Sequence, residues 1–337
     1  MPIVASTDWA EQIPPDEDAR LRGYADELRM LARARASKLG RKGRALHFKP
    51  HVDARAEVIV GELPEQLRVG PFAAPRTWPG YVRFSNGGSR HVSDGAPDVR
   101  GVAFKLVGVP GAKLIPGLEQ ALTQDLLFIH TAATPVAGPD DFIALIRAAK
   151  DGPLALVPRL IGAMGLRKAF RVIKGVAGMA KVTSMASTRF YTALPLRFGD
   201  RAVKLDLLPE TEPSPSLGKG DDALRDDLIA RLKTGPIAYR LRAQFFVDEA
   251  STPIEDASVV WPTPYHELAR IVVPQQDIAS AKGKALEDYV ETLSFDPWHA
   301  LPELRPLGAM MRARGHAYRE SVLERGAAGE PDGSESF

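Results

Sequence analysis

The sequence of 337 residues contains no cysteine. Disulfide bonds, thiolate nucleophiles, iron–sulfur clusters and cysteine zinc sites are therefore excluded. Net charge is also small, +2 at pH 7, which is too little to indicate a nucleic-acid partner. There is no run of about 20 apolar residues, as a membrane-spanning helix needs. The first residues lack the apolar stretch of a secretory signal, so we expect a cytoplasmic protein.

Two further absences concern nucleotide sites. The sequence contains neither the GxGxxG fingerprint of dinucleotide-binding proteins nor the GK[ST] ending of a P-loop. What remains is ordinary for a globular protein, with 45% hydrophobic and 26% charged residues. The length predicts one large domain or two smaller ones.

The stretch Arg312–Arg325, RARGHAYRESVLER, contains no proline and is predicted to be a helix. Arg314 and Tyr318 are then four residues apart, and Arg325 follows Tyr318 by seven, so all three lie on one face. An arginine beside a phenol stabilises the phenolate form. Tyrosinate is one of the few protein ligands of haem iron. The alternative is an amphipathic helix with surface arginines and a packed tyrosine.

The rest of the chain alternates between helix and strand patterns. Pro14–Leu39 begins with acidic residues and ends with basic ones, which predicts a helix. Short strand patterns occur in AEVIVG, YVRFSN, GVAFKLVGV, QDLLFIH, Phe190–Leu208 and RLRAQFFV, and a capped helix in PDDFIALIRAAKDG. DASVVW and the following PTPYHELARIVVPQQD are predicted to be paired edge strands with prolines at their ends.

Residues 153–185 form a basic amphipathic segment. No acidic residue occurs between Asp151 and Asp200, and six cations alternate with apolar residues in the first part of this interval. Such a segment can be a helix at a membrane surface. It can equally be a solvated face over an apolar channel, and the sequence leaves both interpretations open.

Five motifs in order resemble those of the haem catalase superfamily. They are RALH at Arg44–His47, VRFSNG at Val82–Gly87, DVRGVAFKL at Asp98–Leu106, RGHAY at Arg314–Tyr318, and Arg325 beyond it. The segments IEDASVVW, PQQDI and FDPWHALPELRPLGAMMRAR resemble the short catalase-related branch, which includes small haem peroxidases and allene oxide synthase-type domains.

The resemblance implies an α+β fold: a central antiparallel eight-stranded β-barrel with surrounding helices. It implies one haem b, with its iron, between the barrel and the helix that carries Tyr318. We therefore expect an N-terminal helical arm at 1–40, a catalase-like haem domain at 41–325, and a tail at 326–337 that is disordered by composition.

The resemblance also implies residue roles. Tyr318 would be the axial ligand of the haem iron, with Arg314 stabilising its anion. His47 would be the distal acid–base group. The haem propionates would be bound by three arginines, Arg44, Arg83 and Arg325.

One departure from the family pattern concerns the distal asparagine of catalases. The segment Ala121–Ile129 contains no asparagine, and Thr123 is predicted to take that position as a catalytic residue. A hydroxyl orients a peroxide differently from an amide. A smaller departure, Val102 in RGVA, is expected to widen the pocket.

These features predict an enzyme that reduces organic, including fatty-acid, hydroperoxides with an external electron donor. Alternatives are a catalase that dismutates hydrogen peroxide, a fatty-acid hydroperoxide isomerase of the allene oxide synthase type, and a non-enzymatic haem-binding protein. By family analogy the chain would form a homo-oligomer. Lipid contact through residues 153–185 would be a further partner interaction.

Overall fold

A computed structural model of the chain describes residues 3–39, 43–149, 153–214 and 216–335. The described part contains nine strands, β1 Pro50–Val60, β2 Arg76–Asn86, β3 Arg100–Val107, β4 Thr123–Ile129, β5 Phe190–Tyr191, β6 Leu196–Phe198, β7 Arg201–Pro209, β8 Ile237–Phe245 and β9 Tyr265–Val273. The α-helices are α1 Glu17–Leu39, α2 Pro139–Ala149, α3 Pro153–Met164, α4 Leu166–Ala177, α5 Ala223–Thr234, α6 Ala281–Thr292 and α7 Ala309–Arg325.

The strands form a closed antiparallel barrel. The sheet order is β5-β4-β3-β2-β1-β9-β8-β7-β6, and β5 also pairs with β7, which closes the ring. Because β5 and β6 pair with the same edge of β7, they act as one interrupted strand, and the barrel is eight-stranded. The predicted fold, an eight-stranded barrel surrounded by helices, is confirmed.

The two faces of strands β1 to β4 differ in chemistry, as alternation along a strand requires. Even-numbered positions carry apolar side chains into the main core: Val52, Ala54, Ala56, Val58, Trp78, Val82, Phe84, Val102, Phe104, Leu106, Leu126 and Phe128. The opposite face carries buried polar groups, among them Asp53, Arg83, Ser85, Lys105 and Asp125. Helix α6 packs over this polar face at β1 and β2.

The predicted edge strand at Asp256–Trp261 is wrong. This segment is a turn, and β9 begins only after Pro264. Strand β9 itself is an inner strand of the ring, paired with β1 on one side and β8 on the other. The prolines at 262 and 264 separate the two segments because proline cannot donate a hydrogen bond to a neighbouring strand.

The predicted N-terminal arm lies along helix α7 of the same chain. Arg33 on α1 pairs with Glu324, and Glu17 pairs with Arg312, so both ends of α1 are fastened to α7. Among the described residues, no helix is long and apolar enough to cross a membrane.

Residues 326–335 are placed against the barrel, in contrast to the disorder expected from their composition. Lys105 Nζ donates to Glu330 Oε2 at 2.6 Å, and Ser294 Oγ donates to Glu330 Oε1 at 2.8 Å. The Tyr81 hydroxyl donates to Glu335. A polar composition indicates low hydrophobic burial, but it does not reveal a carboxylate that matches one buried cation elsewhere in the chain.

Candidate active site

Helix α7 presents Arg314, Tyr318 and Arg325 on one face, as their spacing predicts. Arg314 Nη2 donates to the Tyr318 hydroxyl at 3.0 Å, and its guanidinium lies 5.1 Å from the centre of the phenol ring. Both side chains are only half-buried, although α7 is fixed at its start by buried Met310 and Met311. The phenol oxygen is therefore held beside a permanent cation on a half-buried helix face.

His47 stands just before β1 with its imidazole over the start of β3. Its Nδ1 lies 3.0 Å from Ser85 Oγ on β2. A Cβ atom at Gly101 would lie 2.5 Å from His47 Cε1, so glycine is required beneath the ring. Burial, followed by the positive charges of Arg83, Arg314 and Arg44, lowers the pKa of His47 to about 3. The imidazole is thus neutral at physiological pH and available to accept a proton.

Three arginines from distant parts of the sequence converge next to His47. Arg83 Nη2 donates to the His47 carbonyl at 3.0 Å, and Arg83 Nε donates to Glu291 at 2.9 Å. Arg44 Nη1 lies 2.5 Å from Glu291. Arg44 and Arg325 each donate to the carbonyl of Leu293, at 2.9 Å. We call Arg44, Arg83 and Arg325 the arginine cluster.

The arginine cluster carries more positive charge than the carboxylates around it balance. Burial, followed by the like charge of Arg83, lowers the pKa of Arg44 to about 9. Burial raises the pKa of Asp53 to about 7. Burial alone would raise the pKa of Glu291 too, but Arg83 and Arg44 together outweigh it and the pKa is lowered. Glu291 is therefore the main anion among three cations.

The structure brings together six of the seven residues predicted for the site and separates Thr123 from them. Gly101, beneath His47, pairs with Ile129 on β4, whereas Thr123 pairs with Val107 at the other end of β4. Six residues of strand correspond to about 20 Å. Thr123 Oγ1 instead lies 2.6 Å from His299 Nε2 and donates to Glu330. The orienting role predicted for Thr123 beside His47 does not agree with this placement.

Three residues of the site were missed from sequence. Ser85 follows Arg83 by two positions in a strand, and the alternation of side chains places it on the same face. Glycine inside the strand pattern at Gly101 is a known signal of close approach. Glu291 gave no such signal, because a glutamate near the end of a polar helix is ordinary.

The residues present fit a haem group. The donor set combines a phenol oxygen beside a guanidinium, a neutral imidazole, and an arginine cluster suited to two carboxylates. Arg325 Nε is buried without a hydrogen-bond partner among the described residues, and Arg44 Nη1 is paired only with Glu291. An unpaired N–H group in a cluster with surplus positive charge is what haem propionates would satisfy.

Comparisons with known proteins found a similar curated protein and similar solved structures. No protein-family profile matches the chain. A curated relative, a catalase-related peroxidase of Mycolicibacterium paratuberculosis (strain ATCC BAA-968 / K-10), is 29% identical over 315 residues. The match covers 86% of this chain and 92% of that protein.

Solved catalase structures share the fold. A fungal catalase superposes with a TM-score of 0.66 at 17% identity, covering 88% of this chain and 62% of that one. Catalase A from Saccharomyces cerevisiae gives 0.65 at 14% identity, covering 98% and 68%. A bacterial catalase gives 0.62 at 15% identity, covering 85% and 58%. The chain thus spans less than two thirds of the first fungal catalase and of the bacterial catalase, and 68% of the yeast one.

The predicted resemblance to the catalase superfamily and its short catalase-related branch is confirmed. The same similarities support the prediction of an oxidoreductase.

Proposed function

We propose that this chain, which has the catalase fold, is a haem-dependent peroxidase that reduces organic hydroperoxides with an external reductant. The observation that carries the proposal is the connected set of contacts from His47 through Arg83 and the arginine cluster to helix α7. It joins a proton acceptor, carboxylate-binding cations and the helix that bears an arginine-paired tyrosine. The net reaction consumes two electrons and two protons and yields an alcohol and water.

Haem b is the cofactor of the proposal. When bound, it supplies the iron at which the peroxide O–O bond is reduced. Tyr318 would hold the iron through its phenolate oxygen, which Arg314 would stabilise by a charge-assisted hydrogen bond. The arginine cluster would bind the two propionates, for which the planar guanidinium is well suited.

His47 is the proposed acid–base residue. It accepts the proton of the peroxide hydroperoxyl group on Nε2 and donates it to the leaving oxygen, so the product departs as an alcohol instead of an alkoxide. This role uses the tautomer in which Nδ1–H donates to Ser85 Oγ. Burial keeps the pKa of His47 low, so the imidazole is in its base form over the physiological range.

The organic substrate class is supported by the absence of asparagine from the segment Ala121–Ile129. Thr123 is turned to His299 and Glu330. The side-chain amide of its neighbour Gln124 bonds the backbone of Asp125 and Leu301, so it is not available beside His47 to orient hydrogen peroxide. An alkyl hydroperoxide can be oriented by contacts to its alkyl group, so it depends less on such an amide.

Dismutation of hydrogen peroxide is the second candidate. The catalase structures that share the fold favour it. The two candidates differ in product, because dismutation releases oxygen whereas peroxidase turnover consumes an added electron donor.

The test measures haem-loaded protein with cumene hydroperoxide and with hydrogen peroxide, following donor oxidation and oxygen release. We expect a higher kcat/KM for the organic peroxide and little oxygen. Replacing His47 with alanine should slow the first reaction with peroxide by about 10² to 10⁴, the usual scale for a positioned acid–base group. His91→Ala, at an exposed position, is the matched control and should react like the parent protein.

Rapid oxygen release from hydrogen peroxide, far above turnover of cumene hydroperoxide, would favour the catalase candidate. Equal rates for the parent protein and the His47→Ala variant would remove His47 from the mechanism.

A further inference from the structure

Helices α3 and α4 form a surface where exposed apolar side chains are concentrated. Of the large hydrophobic residues that the described chain exposes, five lie within these two helices: Val157, Ile161, Leu166, Phe170 and Val176. Leu166 is 69% exposed and Phe170 is 67% exposed. We call α3 and α4 together the α3–α4 surface. Single exposed apolar residues need no explanation, but a contiguous group marks an interaction site.

Helix α4 shows how this surface is built. Leu166 and Phe170 are four residues apart and lie on one face, while Ala169 and Val172 are buried against the body on an adjacent face. Helix α4 therefore packs against the rest of the protein through the face that carries Ala169 and Val172. Leu166 and Phe170 form a second apolar stripe that the same chain does not cover.

Cations occupy the remaining face of α4. Arg167, Lys168, Arg171 and Lys174 are all exposed. Lys168 lies 3.4 Å from Asp141. Among the described residues, Arg171 and Lys174 form no ion pair, and no acidic residue occurs in the sequence between Asp151 and Asp200. The stripe is thus bordered by positive charge, which Asp141 compensates only at Lys168.

We propose that the α3–α4 surface docks on an anionic lipid membrane, with Leu166 and Phe170 inserted among the acyl chains and the α4 cations at the headgroups. The arrangement has the features of an interfacial helix: an apolar stripe about one side chain deep and basic residues beside it. Each cation near an anionic bilayer contributes roughly 1 kcal/mol, and exposed leucine and phenylalanine add burial of apolar area.

A second copy of this chain would be a poor occupant. A twofold interface brings the same patch of both subunits together, and here it would place the α4 cations of each copy against those of the other. An anionic bilayer removes that repulsion. Docking would also bring the enzyme to a source of lipid hydroperoxides, but the docking itself does not depend on the proposed peroxidase activity.

The test measures sedimentation of the full chain with phosphatidylcholine vesicles, with and without phosphatidylglycerol. We expect binding only to the vesicles that contain phosphatidylglycerol. The variant Arg171→Gln/Lys174→Gln should lower the partition coefficient by about 25-fold, since two charges near the surface are lost. The variant Leu166→Ser/Phe170→Ser should lower it by at least about tenfold.

Matched controls exist elsewhere on the chain. Lys282→Gln/Lys284→Gln removes two exposed cations from α6, and Val260→Ser removes an exposed apolar side chain. Both should bind within about twofold of the parent protein. Thermal unfolding of every variant without lipid establishes that the fold is retained.

Three results would overturn the proposal. The parent protein could fail to bind anionic vesicles. The α6 control could lose binding as strongly as the α4 variants. The α4 variants could instead dissociate an oligomer in the absence of lipid, which would make a second copy the occupant of the α3–α4 surface.

Discussion

His47 occupies a backbone conformation that residues other than glycine seldom adopt, with φ of 54°. Such a conformation costs about 1 to 3 kcal/mol. Backbone contacts hold it in place: the His47 N–H donates to the Gly87 carbonyl at 3.0 Å, and the His47 carbonyl accepts from Arg83. The strained residue is thus the one to which we assign proton transfer, and strain of this kind is common where a side chain must be aimed.

The ligand assignment of Tyr318 can be tested on the cofactor itself. Tyr318→Phe removes the phenol oxygen and the hydrogen bond from Arg314, so we expect weak haem retention or a changed absorption spectrum after haem loading. Tyr24→Phe is the control, because it also removes one hydroxyl that hydrogen-bonds, to Asp140, but on helix α1. An unchanged haem spectrum in the Tyr318 variant would exclude this tyrosine as the ligand.

The sequence was sufficient to place those site residues whose relative positions follow from the repeat of a single helix or strand. The Arg314–Tyr318 contact follows from helical spacing alone. Thr123 was assigned to the distal position from the order of the motifs along the chain. That order does not determine the register in which two strands pair. Strand pairing places Ile129, not Thr123, opposite the glycine beneath His47. Glu291 contacts Arg83 across 208 positions of sequence, and no local pattern encodes such a contact.

At the scale of elements, α7 is held to the N-terminal segment by a compact ion network. Arg312 donates to Glu11, Glu17 and Glu255, at distances of 2.5 to 3.2 Å. The side chains of Glu11 and Glu17 are 8% and 4% exposed, so their charges have little access to water. This network orients the helix that carries Tyr318 without contacting the proposed haem site.

Arg312→Ala should therefore destabilise the haem-free protein strongly. It leaves three carboxylates together without their shared cation, and breaking a buried ion pair from one side costs about 3 kcal/mol or more. Urea unfolding measures the change. Arg319→Ala, an exposed arginine on the same helix, is the control and should cost below about 1 kcal/mol. If Arg312→Ala lowered the free energy of unfolding as little as Arg319→Ala, the network would contribute little to stability.

The positions of helices and strands were predictable where capping residues mark the start of a helix or alternating side chains mark a strand. The helix at Pro139 and the strands around Arg83 and Val102 appear where expected. The basic segment, read as one amphipathic stretch, is two helices because Gly165 has φ of 78° and begins a new helix. A single glycine in an apolar run does not reveal whether it bends the chain.

At the scale of the molecule, Glu330 connects the segment after α7 to the barrel. Lys105 lies between two carboxyl groups, those of Asp125 and Glu330. Burial raises the pKa of Asp125. Burial would raise the pKa of Glu330 as well, but Lys105, His299 and the hydrogen bonds from Lys105 and Thr123 outweigh it and lower the pKa to about 2. Glu330 thus carries the negative charge that balances Lys105.

This arrangement predicts a pH-dependent stability. The folded pKa of Glu330 is below its ordinary value of 4.5, so its contribution is complete above about pH 4.5 and is lost as the pH falls toward 2. Glu330→Gln should lower the free energy of unfolding by about 2 kcal/mol at pH 7, because the shift corresponds to about 3 kcal/mol and ionisation of Asp125 recovers part.

The difference between parent and variant should shrink as the pH falls below 4.5, which denaturant unfolding at several pH values measures. Glu57→Gln, at an exposed position of β1, is the control and should show no such trend. A difference that stays constant down to pH 3 would contradict the assignment of charge to Glu330.

The barrel as a whole was predicted from the resemblance of five motifs, and the strand patterns alone did not determine it. Alternation identifies strands but not partners, and here β1 pairs with β9 across most of the chain. The contact of Glu330 with the barrel was not predictable either, since it depends on Lys105, whose environment only the folded barrel creates.

The pairing of Lys105 with Glu330 also bears on how the protein is made. A polypeptide leaves the ribosome from its N-terminal end, and 225 residues separate these two partners. Strands β1 to β4 can pair with one another early in synthesis. The free edge of β1 is covered only when β9 has been made, and Lys105 gains the carboxylate of Glu330 later still. During synthesis the first half of the barrel is therefore an open sheet with an unpaired edge strand, and we expect chaperones that bind nascent chains to recognise it.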